Sequence, residues 1–122
     1  MGLLASVITG TAVFPSFRPS GYHKALYLSG EDDEYEVRRR LLAYDLAYFK
    51  PQSPLAQSVL HEAVKERLRL VAAQSRPFLE VDRGGRVSES AYFQSVLDAV
   101  RSERPSLIVI DTLRKHLGTV SE

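Results

Sequence analysis

The chain has 122 residues, 44% of them apolar and 25% charged, with 16 basic against 15 acidic side chains and a net charge of +1. That is enough apolar material for one domain with a real core, and the 25% charged content argues against disorder. The balanced charge leaves no global positive field to attract a nucleic-acid backbone, so any DNA contact would be local. The absence of cysteine removes disulfides, thiol nucleophiles and cysteine-based zinc sites.

The opening MGLLASVITG has no basic leader region and is too short to span a bilayer, which reads as a soluble, cytoplasmic chain. Leu3, Leu4, Val7 and Ile8 have the spacing of one buried helix face, and Gly10 suits a left-handed cap behind it. Pro15, Pro19 and Gly21 then block regular structure. The unalternating run Ala25-Leu26-Tyr27-Leu28 reads as a strand buried on both faces, ended by Gly30-Glu31-Asp32-Asp33. Asp33 with Glu36 fits a capping box for a helix whose buried stripe is Val37, Leu41, Tyr44 and Tyr48.

Lys50 to Pro54 breaks that helix, and Ser53-Pro54 reads as the cap and first residue of another, with Leu60, Val64, Leu68 and Val71 on one face. Phe78 to Val81 reads as a strand and Asp82 to Gly85 as a turn. Ser88 is the expected cap of a helix facing inward through Phe93, Val96, Leu97 and Val100. After a connection from Arg101 to Ser106, Leu107-Ile108-Val109-Ile110 is the strongest strand signal, with Asp111 at its end. This order predicts a single α/β domain over 1–122, a mainly parallel sheet flanked by helices.

In an open parallel sheet, ligands sit beyond the carboxyl ends of the strands. Two acidic residues occupy such positions, Glu31 after LYLSG and Asp111 after LIVI. If their strands are neighbours, one carboxylate can polarise a water while the other holds a hydrated magnesium ion. Spacing alone leaves plainer readings open: Glu31 as part of a helix-capping acidic cluster, Asp111 as a turn or cap residue. Arg38-Arg39-Arg40 reads as a solvated helix face, and Arg83-Gly84-Gly85-Arg86 as a surface turn without phosphate-loop spacing. His23, His61 and His116 are too far apart for a short metal motif and read as surface or loop residues. No G-x-x-x-x-G-K-[ST] occurs, so the backbone and lysine that would bind β and γ phosphates are missing.

Together, ALYLSGEDDEYEVRRRL and PSLIVIDTLRKHLG resemble two blocks of the RepA-type replicative helicases of the RecA/DnaB group. There a strand ending in Ser-x-Glu-Asp precedes an arginine-bearing helix, and a later strand ends in an Ile-Asp-x-Leu-Arg Walker B segment. The opening, ending in Thr9-Gly10, resembles the helix that follows the phosphate loop. The resemblance implies a partial RecA-like P-loop NTPase domain of an AAA-type ATPase. It makes Glu31 the water-activating carboxylate, Asp111 the magnesium-site aspartate, and Arg39 or Arg40 an arginine near the nucleotide. Arg114-Lys115-His116-Leu117 departs from the family's Arg-Arg-Phe-His, and no role passes to His116.

The intact family uses ATP and Mg2+, works as a hexamer and engages plasmid DNA through regions that this chain lacks. The expectation is therefore a truncated helicase core, without membrane contact and not hydrolytic by itself. The alternative is a non-catalytic RecA-like module that pairs with a full-length homologue.

Overall fold

Helix α1 (Gly2–Thr9) opens the computed structural model, which describes residues 1–12, 17, 19–49, 56–72 and 76–117. Leu4, Ala5, Val7 and Ile8 are buried, and Gly10 closes the helix at φ 72°, ψ 12°. A Cβ there would lie 2.9 Å from the Gly21 carbonyl carbon, so the left-handed turn and the close approach both require glycine. Leu3, expected on the buried face, is instead 44% exposed, because the helix packs through the faces beside it.

Strand β1 (Ala25–Ser29) is buried at every position, as its unbroken apolar run predicts. Helix α2 (Glu34–Tyr44) follows, with Asp33 as its cap: the Asp33 side chain accepts from the Glu36 amide at 2.8 Å. Val37 and Leu41 are buried and Tyr44 half-buried; Tyr48 lies in a π-helical turn, Asp45–Phe49, and its side chain is outside the description. Pro15 and the expected helix start at Ser53-Pro54 are also outside the described residues.

Helix α3 (Ala56–Arg67) passes without a loop into strand β2 (Leu68–Ala72). This corrects the reading of Leu68 and Val71 as helix positions. Both extend the helical spacing of Leu60 and Val64, but the open edge of β1 offers ladder hydrogen bonds, and β2 pairs with it in parallel from Ala25↔Leu68 onward. Strand β3 (Leu79–Val81) does not join that sheet. It forms an antiparallel hairpin with β4 (Val87–Glu89) across the expected turn, where Asp82 Oδ1 accepts from the amides of Gly84 and Arg86.

Ser88 consequently lies in β4, and the cap of helix α4 (Ala91–Glu103) is Ser90, whose hydroxyl accepts from the Phe93 amide at 3.0 Å. Strand β5 (Leu107–Asp111) and the short α5 (Leu113–Leu117) complete the chain. The main sheet is parallel, in the order β2-β1-β5. One face carries Ala25 and Tyr27 against α1, α2 and α3; the other carries Leu26 and Leu28 against Phe78 and α4. The α/β expectation of a parallel sheet between helix layers holds. Among the described residues, no helix is long and apolar enough to cross a membrane.

Candidate functional site

β1 and β5 are neighbours, with Ser29 opposite Asp111 in register. Both carboxylate candidates therefore leave from the same end of adjacent parallel strands. The turn behind β1 is fixed from inside: the Ser29 hydroxyl is fully buried, donates to the Asp32 carbonyl at 2.6 Å and accepts from the Asp32 amide at 3.1 Å. Across the ladder, the Gly30 amide donates to the Asp111 carbonyl at 2.7 Å.

Asp111 lies on the α2 side of the sheet, because it shares the alternation of Leu107 and Val109. Its Oδ2 accepts a hydrogen bond from the Tyr27 hydroxyl at 2.7 Å and lies 4.0 Å from Arg40 Nη1. Arg40 also contacts Asp32 Oδ2 at 2.8 Å and lies 3.7 Å from Glu36 Oε1, so one guanidinium sits among three carboxylates. Burial, then the hydrogen bond and charge of Asp111, push the Tyr27 phenol far above its usual range, which fixes it as the donor. Asp111 Oδ1 has no partner among the described residues and is not closed off from solvent.

Glu31 is exposed and its side chain forms no hydrogen bond or ion pair among the described residues. The capping work that a plainer reading assigned to it falls to Asp33. Of the two candidate arginines, Arg40 reaches the Asp111 carboxylate, whereas Arg39 turns to Glu36 at 2.7 Å and holds that carboxyl below its usual range. Arg38 pairs with Glu34 on the outer face of the helix.

Sequence reading missed three members of this region. Tyr27 stood inside an apolar strand, where nothing marks which way a phenol points. Asp32 was hidden in an acidic run. His116, expected at the surface, is fully buried. Its Nδ1 lies 2.9 Å from the Thr112 carbonyl oxygen, its ring packs 4.9 Å from Phe78 and 6.1 Å from Tyr92, and its carbonyl accepts from the Phe78 amide. The ring also floors the turn after β1, since a Cβ on Gly30 would lie 3.0 Å from His116 Cε1. The basic run Arg114-Lys115-His116 gives no hint of this, because the burying partners come from remote elements.

The fold and these strand ends define an α/β domain with acidic groups gathered at the carboxyl end of a parallel sheet. A family model described as AAA domain matches residues 1–122, and the chain belongs to that family. No curated protein and no solved structure matches it. Intact members are ATPase-type domains that use a nucleotide and Mg2+.

The residues fit the metal better than the nucleotide. Magnesium keeps several waters and takes one or two carboxylates, and Asp111, with one oxygen held and the other open, suits that mode. Among the described residues, no group of three or more His, Asp or Glu side chains forms an all-protein cage. For the phosphates, these 122 residues contain no glycine-lysine loop, so the chain alone offers no cradle.

Proposed function

We propose that this chain carries the acidic half of a RepA-type replicative DNA helicase core. Glu31 is the carboxylate that activates the attacking water, and Asp111 is the Walker B aspartate that holds hydrated magnesium. Arg40 is the arginine near the nucleotide; Arg39 is the weaker candidate because Glu36 engages it. The observation that carries this reading is the pairing of β1 with β5, which brings Glu31 and Asp111 to the same end of adjacent strands, while among the described residues the Glu31 side chain makes no hydrogen bond or ion pair. On this reading the ATPase of the intact family is a hexamer acting on DNA, and these residues do not hydrolyse ATP by themselves.

The test is twofold. Mn2+ titrated into the chain, followed through water-proton relaxation, should bind in the wild type and in Glu31→Gln but not in Asp111→Asn; binding unaffected by Asp111→Asn would remove the metal assignment. ATP turnover with magnesium should be absent, and clear hydrolysis that disappears in Glu31→Gln would overturn the claim that the chain is incompetent alone.

A second reading, an interaction module that pairs with a homologue, is favoured by β5. That strand is outermost among the described strands, its run Leu107 to Ile110 bears no charge, and Ile108 and Ile110 are 44% and 38% exposed. Size-exclusion across a concentration series tests it: a monomer throughout would argue against pairing.

A further inference from the structure

We propose that Tyr27 is the positioning residue of the metal-holding carboxylate, pinning Asp111 Oδ2 so that Oδ1 is presented outward to a divalent cation; this rests on the reading of Asp111 above. Tyr27 occupies the middle of the central strand, opposite Val109, with its ring 4% exposed among Ala25, Val37 and Leu41. A phenylalanine would satisfy that apolar setting equally well. What the tyrosine adds is a hydroxyl that reaches diagonally past Val109 to the residue two positions on, a span open to an aromatic side chain and closed to Leu or Val.

The resulting bond is short, 2.7 Å, and charge-assisted, and it goes to one oxygen of the carboxylate while the other has no partner among the described residues. A carboxylate on a strand end otherwise rotates about two side-chain torsions. Fixing one oxygen removes that freedom, and the buried ring makes the fixing group rigid. Arg40 adds charge at 4.0 Å but is half exposed and long, so it balances the site without setting its geometry.

The experiment uses the full chain with aspartate labelled at Cγ, read by carbon NMR, and Mn2+ as the probe. The Asp111 resonance is identified by its loss in Asp111→Asn. Tyr27→Phe should move that resonance without metal, keep the thermal midpoint within a few degrees, and weaken Mn2+-induced broadening of it by about tenfold in concentration. An unmoved resonance with unchanged Mn2+ affinity overturns the positioning role. Absence of Mn2+ broadening at Asp111 in the wild type overturns the metal reading itself, and this assignment with it, whatever Tyr27→Phe does.

If Tyr27→Phe does not fold, tyrosine labelled at Cζ reads the same bond from its other end. The Tyr27 resonance should then move in Asp111→Asn, and a resonance that stays in place overturns the proposal.

Discussion

The amide of Gly30 donates to the carbonyl of Asp111 at 2.7 Å, closing the ladder between two strands at the point where both leave the sheet. The same glycine lies against α5, where a Cβ would come within 2.9 Å of Lys115 Cβ and 3.0 Å of the buried His116 ring. Gly30→Ala is therefore expected to destabilise the chain by about 1–3 kcal/mol, because neither neighbour can withdraw without disturbing the aromatic cluster beneath it. Chemical denaturation measures this, and a change below half a kcal/mol would show that the turn has more room than its contacts indicate.

Ser90 ties two elements together. Its hydroxyl accepts from the Phe93 amide and donates to the Pro77 carbonyl at 2.6 Å, while its side chain is almost fully buried. Ser90→Ala should cost about 1–2 kcal/mol, and Ser88→Ala, on the exposed hairpin, well under half of that. Paired urea melts of the two variants separate the real cap from the expected one.

Tyr92 is buried with its hydroxyl unpartnered among the described residues. Burial raises its phenol above the ordinary value, and Arg76 pulls weakly the other way. The folded protein thus resists an ionisation that the unfolded chain permits. Its contribution is intact below about pH 10 and is lost as the pH rises toward the folded value. Tyr92→Phe should flatten the alkaline decline in stability, and near neutrality should be neutral or stabilising by about 1 kcal/mol, since it removes a buried group without a partner. Denaturation midpoints across neutral and alkaline pH check both parts.

Arg104 closes α4 in the left-handed region, at φ 48° and ψ 57°, a conformation that costs a side-chain-bearing residue about 1 kcal/mol or more. Arg104→Gly is expected to raise stability by up to about 1 kcal/mol, less whatever entropy glycine adds to the unfolded chain. A lowered thermal midpoint would mean that the arginine side chain makes a compensating contribution.

What was legible in the sequence is what local chemistry decides. The unbroken run before Gly30, the Asp33 cap, the Gly10 cap and the β-branched run before Asp111 each specify their element without help from elsewhere. β2 was not legible, because Leu68, Leu70 and Val71 satisfy both helical and strand spacing, and the choice was made by the vacant edge of β1. β4 was hidden because a three-residue strand gives almost no pattern, and Ser88, the expected cap, lies within it. In the candidate site, Glu31 and Asp111 were marked by position at strand ends. Tyr27 and His116 were not, since their roles depend on partners brought close by the fold.

Among the described strands of the main sheet, the central one precedes both of its partners in sequence. Ala25 waits for Leu68 on one side and for Leu107 on the other, so neither pairing described in the main sheet is local in sequence. Folding must close long loops before the sheet rewards it, which slows it relative to a chain held by local contacts. A nascent chain that has released β1 alone exposes the apolar run Ala25 to Leu28 before either partner strand exists, a state prone to association.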